Sequence, residues 1–67
     1  MNDRILVNYW CNSDYSDGDS FIVEGVKSFG KLDEVLEREE PNYMYADYWN
    51  LEKHPEMESE EIRTVSI

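Results

Sequence analysis

Most of the side chains in this chain that can do chemistry are carboxylates. The group with the most regular spacing precedes Pro41. Asp33, Glu37 and Glu40 recur at i, i+4 and i+7, and Glu34 is adjacent. If this segment is helical, neighbouring members of the group lie ~5–6 Å apart at Cβ. A line of negative charge with that spacing resembles a polyanion, whose natural counterpart is a groove lined with Lys and Arg.

Two further groups of acidic residues occur on either side of this line in the sequence. The members of these two groups are Asp14, Asp17, Asp19, Glu56, Glu58, Glu60 and Glu61. Together with the line before Pro41, the two groups form the acidic part of the predicted partner-binding set. We expect the line before Pro41 to contribute most and these two groups to support it. Folding can bring all three groups into a nearly continuous anionic surface.

The charge balance indicates that these carboxylates create an electric field that attracts a partner. The 67 residues include 16 acidic and 6 basic side chains, which gives a formal net charge of −10. Solubility alone is met by a net charge of magnitude ~2–8 with both signs interspersed. Like charges at i, i+4 also destabilise a helix. We therefore interpret the excess as a means of binding a cationic partner, and an ordinary acidic surface is the alternative.

Catalysis and zinc binding are poorly supported by the same sequence. A general acid and its base need environments that separate their pKa values, and the sequence contains no phosphate-binding loop or nucleophile motif. Cys11 is the single cysteine and His54 the single histidine, far apart in the chain. Neither an internal disulfide nor a usual zinc site is therefore predicted. We expect no enzymatic activity and no cofactor, with Cys11 in the core and His54 in an exposed loop.

The acidic loop at residues 14–19 invites comparison with a calcium-binding loop. Placing Gly18 at the invariant glycine of an EF-hand puts Glu24 at the bidentate glutamate position. The first and third ligand positions then fall on Ser13 and Tyr15, which removes most of the negative ligands. We predict a solvated turn without a metal, whose Asp side chains cap backbone amides.

Hydrophobic periodicity predicts the elements that position these residues. Residues 5–11 and 21–26 are rich in β formers, and the first stretch alternates with period two, so both are predicted strands that pair antiparallel. Leu32, Val35 and Leu36 form an apolar stripe at i, i+3 and i+4, which predicts a helix of about ten residues. Ser28 or Gly30 caps its start, and its first turn should contain acidic residues that suit the helix dipole.

The second half of the chain predicts two more strands. Residues 43–51 are aromatic-rich and favour a strand, although Met44, Tyr48 and Leu51 also fit the i, i+4, i+7 spacing of a helix. Residues 61–67 end in an alternating pattern, after a polar connection that contains Pro55. We predict one α+β domain over residues 1–67, with the order β-β-α-β-β. Its small antiparallel sheet of about four strands carries one short helix on one face.

Composition excludes several classes of function. Aliphatic runs such as Ile5-Leu6-Val7 are far short of the ~20 residues of a membrane span. The start, Met1-Asn2-Asp3-Arg4, has no signal-peptide character. Direct binding of nucleic acid by a basic patch is disfavoured at this net charge. We expect a cytoplasmic protein that contacts neither nucleic acid nor membrane directly.

Aromatic side chains supply the second half of an interface. The chain has two Trp and five Tyr residues, more than so thin a fold can bury. Neighbours along a strand point to opposite faces, so some of these rings must be exposed. Exposed Trp and Tyr act as rigid anchors beside charges that steer encounter. We predict Tyr15 and Trp49 as anchors.

In size and charge, though not in any motif, the chain resembles small phage-encoded decoys that block restriction, CRISPR or repair enzymes. The resemblance implies an inhibitor of the anti-CRISPR or anti-restriction type, encoded by a phage or mobile element. Such an inhibitor imitates the charge of nucleic acid and blocks the basic groove of a nuclease or another nucleic-acid-binding protein. The alternative is an acidic regulatory or immunity-type protein that binds one protein partner through exposed aromatic residues, such as Trp10 or Trp49.

Overall fold

The computed structural model describes residues 4–12 and 18–67. Its elements follow the predicted order and are β1 (Arg4–Trp10), β2 (Gly18–Glu24), α1 (Phe29–Glu39), β3 (Tyr45–Asn50), a 3-10 turn (Pro55–Met57) and β4 (Thr64–Ser66). The predicted α+β class is confirmed: one helix packs on a sheet of four strands. The strand prediction for residues 43–51 is confirmed, because Ala46 and Tyr48 alternate inward and pack on the core.

The sheet has the strand order β3-β1-β2-β4 and is mixed. β1 is antiparallel to β2, as predicted, and also to β3, but β4 is parallel to β2. The expectation of an entirely antiparallel sheet is therefore wrong at this one edge. After β3 the chain crosses beneath the sheet through residues 51–63 and enters β4 in the same direction as β2. A parallel neighbour requires a crossover of this length.

The main core lies between α1 and the upper face of the sheet. Phe21, Leu32 and Leu36 are fully buried in this layer, and the predicted apolar stripe supplies all the buried residues of α1. Ser28 is the N-cap, as predicted, and its side chain accepts a hydrogen bond from Lys31 N. α1 begins at Phe29, however, and its first turn contains no acidic residue. The expected favourable contact between acidic side chains and the N-terminal end of the helix dipole is therefore wrong.

A smaller core covers the lower face of the sheet. Leu6 and Ile22 point away from α1 and are buried by Leu51, with Met57 and Ile62 packed against them. The crossover segment, residues 51–63, thus closes half of this face, and no other segment of residues 4–12 and 18–67 covers the half beside Tyr45 and Trp49, which we call the open half. Within the described part of the chain, no helix is long and apolar enough to cross a membrane.

Candidate functional site

The two flanks of α1 carry charge of different character. On the flank towards β4, Arg63 Nη1 lies 2.9 Å from Glu39 Oε1 and Arg38 Nε lies 3.1 Å from Glu39 Oε2. Arg38 Nη2 also donates to the carbonyl oxygen of Ser66 at 3.0 Å. The hydrogen bonds from Arg63 and then Arg38 hold the pKa of the Glu39 carboxyl below its ordinary value. On this flank two arginines therefore face one carboxylate.

The opposite flank, towards β3, carries Asp33, Glu37 and Glu40, which we call the acid row. The Tyr48 hydroxyl donates to Asp33 Oδ1 at 2.7 Å, and the Tyr9 hydroxyl donates to Glu40 Oε1 at 3.0 Å. Within residues 4–12 and 18–67, none of the ion pairs involves a member of the acid row. Tyrosine hydroxyls therefore position Asp33 and Glu40, and no described ion pair places a cation against the row.

The same two tyrosines have raised pKa values. Burial, then the hydrogen bond to Glu40, raises the pKa of Tyr9 to about 12. Burial and the hydrogen bond to Asp33 likewise raise the pKa of Tyr48 well above its ordinary value. Both hydroxyls consequently stay protonated and remain donors throughout the physiological range of pH.

Glu34, predicted as part of the same line, lies apart from the acid row. It follows Asp33 by one residue and is therefore about 100° further round the helix. Its Oε2 lies 3.2 Å from Lys31 Nζ, and both side chains are exposed. A single line of four acidic residues opposite the apolar stripe is thus not formed, because Asp33 and Glu40 turn towards the sheet.

The predicted C-terminal acids lie on the other side of the molecule. Glu56, Glu58, Glu60 and Glu61 belong to the crossover segment, whose Met57 and Ile62 pack on the lower face. Glu58 Oε1 lies 2.7 Å from Arg4 Nη1, and Glu56 Oε2 lies 3.6 Å from His54 Nδ1. Since the acid row flanks α1 on the upper face, the two groups do not form the continuous surface that we expected.

The predicted contributors in the β1–β2 connection are only partly visible. Asp14, Tyr15 and Asp17 lie outside the described residues. Asp19 is exposed near the start of β2, and Glu24, the residue aligned with the EF-hand glutamate, lies 3.5 Å from Arg4 Nε. No group of three or more His, Cys, Asp or Glu side chains among the described residues is arranged to hold a metal ion.

Three side chains of β3 form an exposed strip on the open half of the lower face. Tyr45 is 40% and the predicted anchor Trp49 36% exposed, and Asp47 lies between them along the strand. The Trp49 ring meets His54 edge-on at 5.2 Å, so His54 is half-buried and not a freely exposed loop residue. Sequence reasoning missed Tyr45 and Asp47, although the period-two alternation with Trp49 was sufficient to find them.

The other aromatic candidate, Trp10, is less available. A Cβ placed on Gly18 would lie 2.6 Å from Trp10 Nε1, so the indole ring lies directly over this glycine in the paired strand. Cys11 is half-buried and packs against the core, where the sequence predicted it.

A shallow cavity of about 240 Å³ opens between the start of α1 and the end of β3. Ile5, Val26 and Leu32 form its apolar wall, Phe29 and Asn50 its rim, and Lys27 is the one titratable group among the described residues that line it. This lining offers no pair of groups for acid–base chemistry. Comparisons with models of protein families, with curated proteins and with solved structures find no match.

Proposed function

We propose that this protein is a small non-catalytic inhibitor that imitates nucleic acid. The acid row takes the place of backbone phosphates in the basic groove of a nuclease or another nucleic-acid-binding enzyme. The proposal implies a phage or mobile-element origin, an action of the anti-CRISPR or anti-restriction type, and a cytoplasmic location. The observation that carries it is the unequal division of charge between the two flanks of α1.

The dimensions of the acid row suit such a role. From Asp33 to the C-cap Glu40 the rise is ~10 Å at ~1.5 Å per residue, about three phosphate-to-phosphate steps of ~3.4 Å along one DNA strand. Hydrogen bonds from Tyr48 and Tyr9 hold the two end carboxylates, so binding a cationic groove costs less side-chain ordering.

Among the described residues, the arginines form their ion pairs with carboxylates outside the acid row. Arg4 lies against Glu24 and Glu58 near the lower face, and Arg38 and Arg63 converge on Glu39 at the β4 side. These pairs neutralise Glu24, Glu58 and Glu39, which are not members of the row, and Glu39 directly precedes Glu40 in the chain. Three carboxylates outside the described ion pairs consequently lie on the β3 side of the helix, and a positively charged groove would be attracted there.

The test is capture of partners from a bacterial lysate on the immobilised protein at rising salt. We expect a basic nucleic-acid-binding protein to be retained at low salt, lost by moderate salt and displaced by duplex DNA, as for phosphate contacts. The absence of any basic partner at every salt concentration would contradict the proposal, as would a partner that DNA does not displace.

A pair of charge reversals locates the contact face. Replacing Glu37 and Glu40 by Lys should abolish capture, and Glu37→Lys alone, which leaves the Tyr9 hydrogen bond intact, should weaken it. The matched control replaces Glu60 and Glu61 by Lys, which changes the net charge by the same amount on the opposite side of the molecule. Equal losses in both double variants would mean that net charge, not the acid row, attracts the partner.

The exposed strip on β3 favours a second candidate function. Tyr45 and Trp49 offer aromatic surface on the open half of the lower face, which suits an acidic regulatory or immunity-type protein that binds a single protein. In that case Trp49→Ala should weaken the complex by more than ~2 kcal/mol, the level of an interface hot spot. Salt would then change mainly the association rate. Phe29→Ala is the matched control, since Phe29 is exposed at the start of α1.

A further inference from the structure

β3 forms one edge of the sheet, and the register fixes which of its backbone groups point outward. Leu51 N donates to Arg4 O at 3.0 Å, so the adjacent pair Ile5–Asn50 is a non-hydrogen-bonded pair of the antiparallel ladder. Because the pattern alternates, Trp49 and Asp47 bond to β1, and at the far end of the pair Met44 N donates to Trp10 O at 2.8 Å. The N–H and C=O groups of the residues between them point away from the sheet.

Two residues, Ala46 and Tyr48, therefore present free backbone groups at this edge. Asn50 is satisfied, since its carbonyl oxygen accepts from the N–H groups of Lys53 and His54. No backbone partner for Ala46 or Tyr48 is found across the edge among residues 4–12 and 18–67. A row of unsatisfied donors and acceptors of this kind is a template for an added strand.

The opposite edge of the sheet differs in both length and charge. β4 has three residues against six in β3, and the Ser66 carbonyl oxygen already accepts from Arg38. Arg63 and Arg38 lie on that side. The edge that combines free backbone groups with negative charge is β3.

Charge decides which kind of strand the β3 edge accepts. The acid row lies above the edge, where Asp33 is bonded to Tyr48, and Asp47 lies on the lower side of the same strand. A second copy paired antiparallel through this edge would bring two acid rows together, and like charges across such an interface are costly. A cationic segment would instead be attracted on both faces, by the acid row on the helix side and by Asp47 on the lower side.

We propose that the partner contributes an extended, Arg- or Lys-rich segment that adds to β3 as a fifth strand. Alternate side chains of this segment point to the helix side and reach Asp33 and Glu37. The side chains between them lie against Tyr45 and Trp49 on the lower face. The inference rests on the proposed function and adds to it the class of partner segment, because backbone pairing with β3 aligns the basic side chains with the acid row.

The probe is a short end-blocked peptide of alternating Arg and Val, added to isotope-labelled protein. We expect the amides of Ala46 and Tyr48 to become protected from hydrogen exchange while those of β4 do not change. Ala46→Pro removes one outward N–H and keeps the ladder to β1, a position where an edge strand tolerates proline. It should lower peptide affinity at least about tenfold.

Two matched controls isolate backbone pairing. Ala46→Val adds bulk but keeps the N–H and should bind the peptide within about twofold of the native protein, since no hydrogen bond is lost. A peptide N-methylated at alternate residues should lose affinity for the native chain, which keeps the test valid if Ala46→Pro does not fold. Equal binding of the methylated and unmethylated peptides would overturn the inference, as would unprotected amides at Ala46 and Tyr48.

Further outcomes separate this inference from the proposed function. If Ala46→Pro still captures a basic, DNA-displaceable partner from lysate while the peptide fails to bind, the nucleic-acid mimic stands and the added strand is rejected. If the peptide binds but no such partner is captured, the added strand stands and the mimic is rejected. Concentration-dependent dimers in gel filtration that Ala46→Pro abolishes would assign the edge to a second copy and overturn the inference.

Discussion

At the scale of single residues, two tyrosine hydroxyls decide where the acid row points. Tyr9 and Tyr48 extend from the sheet to the helix and donate to Glu40 and Asp33. Each bond uses a carboxylate as the acceptor without neutralising it, in contrast to the arginine pairs around Glu39. Each tyrosine hydroxyl thereby fixes the position of a carboxylate whose negative charge remains available to a partner.

Removing either hydroxyl should cost a modest amount of stability and weaken binding of a cationic partner. Tyr9→Phe and Tyr48→Phe should each lower the free energy of unfolding by about 0.5–1.5 kcal/mol, the net value of one hydrogen bond. Urea denaturation measures the change. Tyr43→Phe is the control, because Tyr43 packs on the same core and its hydrogen bond to Glu40 comes from the backbone N–H, which the substitution keeps. Equal losses in all three variants would contradict the assigned role of the two bonds.

The raised tyrosine pKa values predict a loss of stability in alkali. A tyrosine with a raised folded-state pKa stabilises the fold fully below its ordinary value of 10, and this contribution is lost as pH rises through about 12 for Tyr9. Unfolding free energy should therefore fall above pH 10. Tyr9→Phe should show a smaller fall over this range in denaturation series at stepped pH. An unchanged slope in Tyr9→Phe would mean that ionisation of Tyr9 does not cause the loss.

At the scale of elements, β4 is the least secured strand of the sheet. It has three residues, of which only Val65 is half-buried, and it is anchored to α1 through Arg63–Glu39 and Arg38–Ser66 contacts. A short edge strand with few buried contacts opens at low free-energy cost. The arginine contacts at Glu39 therefore determine whether β4 stays paired with β2.

Glu39→Gln should release β4 selectively. The lowered pKa of Glu39 means that its contribution is present above its ordinary value of 4.5 and is lost as pH falls through the lower folded-state value. We expect faster amide exchange in β4 in the variant, and a smaller acid-induced change than in the native protein. Glu34→Gln, which removes an exposed i, i+3 pair worth ~0.2–0.5 kcal/mol, is the control. Equal acceleration in both variants would contradict the anchoring role.

At the scale of the whole molecule, self-repulsion opposes folding and partner binding relieves it. A net charge of −10 on 67 residues destabilises the folded state, and salt screens this repulsion over a Debye length of ~8–10 Å. The same screening weakens attraction to a cationic partner. Added salt should therefore stabilise the folded state and weaken binding of the partner.

Thermal unfolding at increasing salt tests this directly. The midpoint should rise with salt, and Glu37→Gln should raise it at low salt, because Glu37 repels its neighbours in the acid row. Glu58→Gln, which removes the ion pair with Arg4, should not raise it. A midpoint that falls with salt would mean that ion pairs outweigh repulsion, and that loss of a partner at moderate salt can reflect unfolding.

Much of the fold and little of the site followed from local pattern. Alternation and β-forming composition predicted the strands, and the stripe Leu32, Val35, Leu36 with Ser28 predicted α1, because these signals act between near neighbours. The contacts of Asp33 and Glu40 with Tyr48 and Tyr9 span 15 and 31 positions in the chain. No spacing rule relates residues so far apart.

The sequence by itself determined the classes of the elements, their order and the large negative charge, since composition and short-range periodicity contain that information. Only the tertiary structure decided that β4 runs parallel to β2, that Arg38 and Arg63 gather on one flank of α1, and that the acid row lies beside the free edge of β3. The reason is that strand order and crossover direction set which distant charges become neighbours, and long-range packing fixes both.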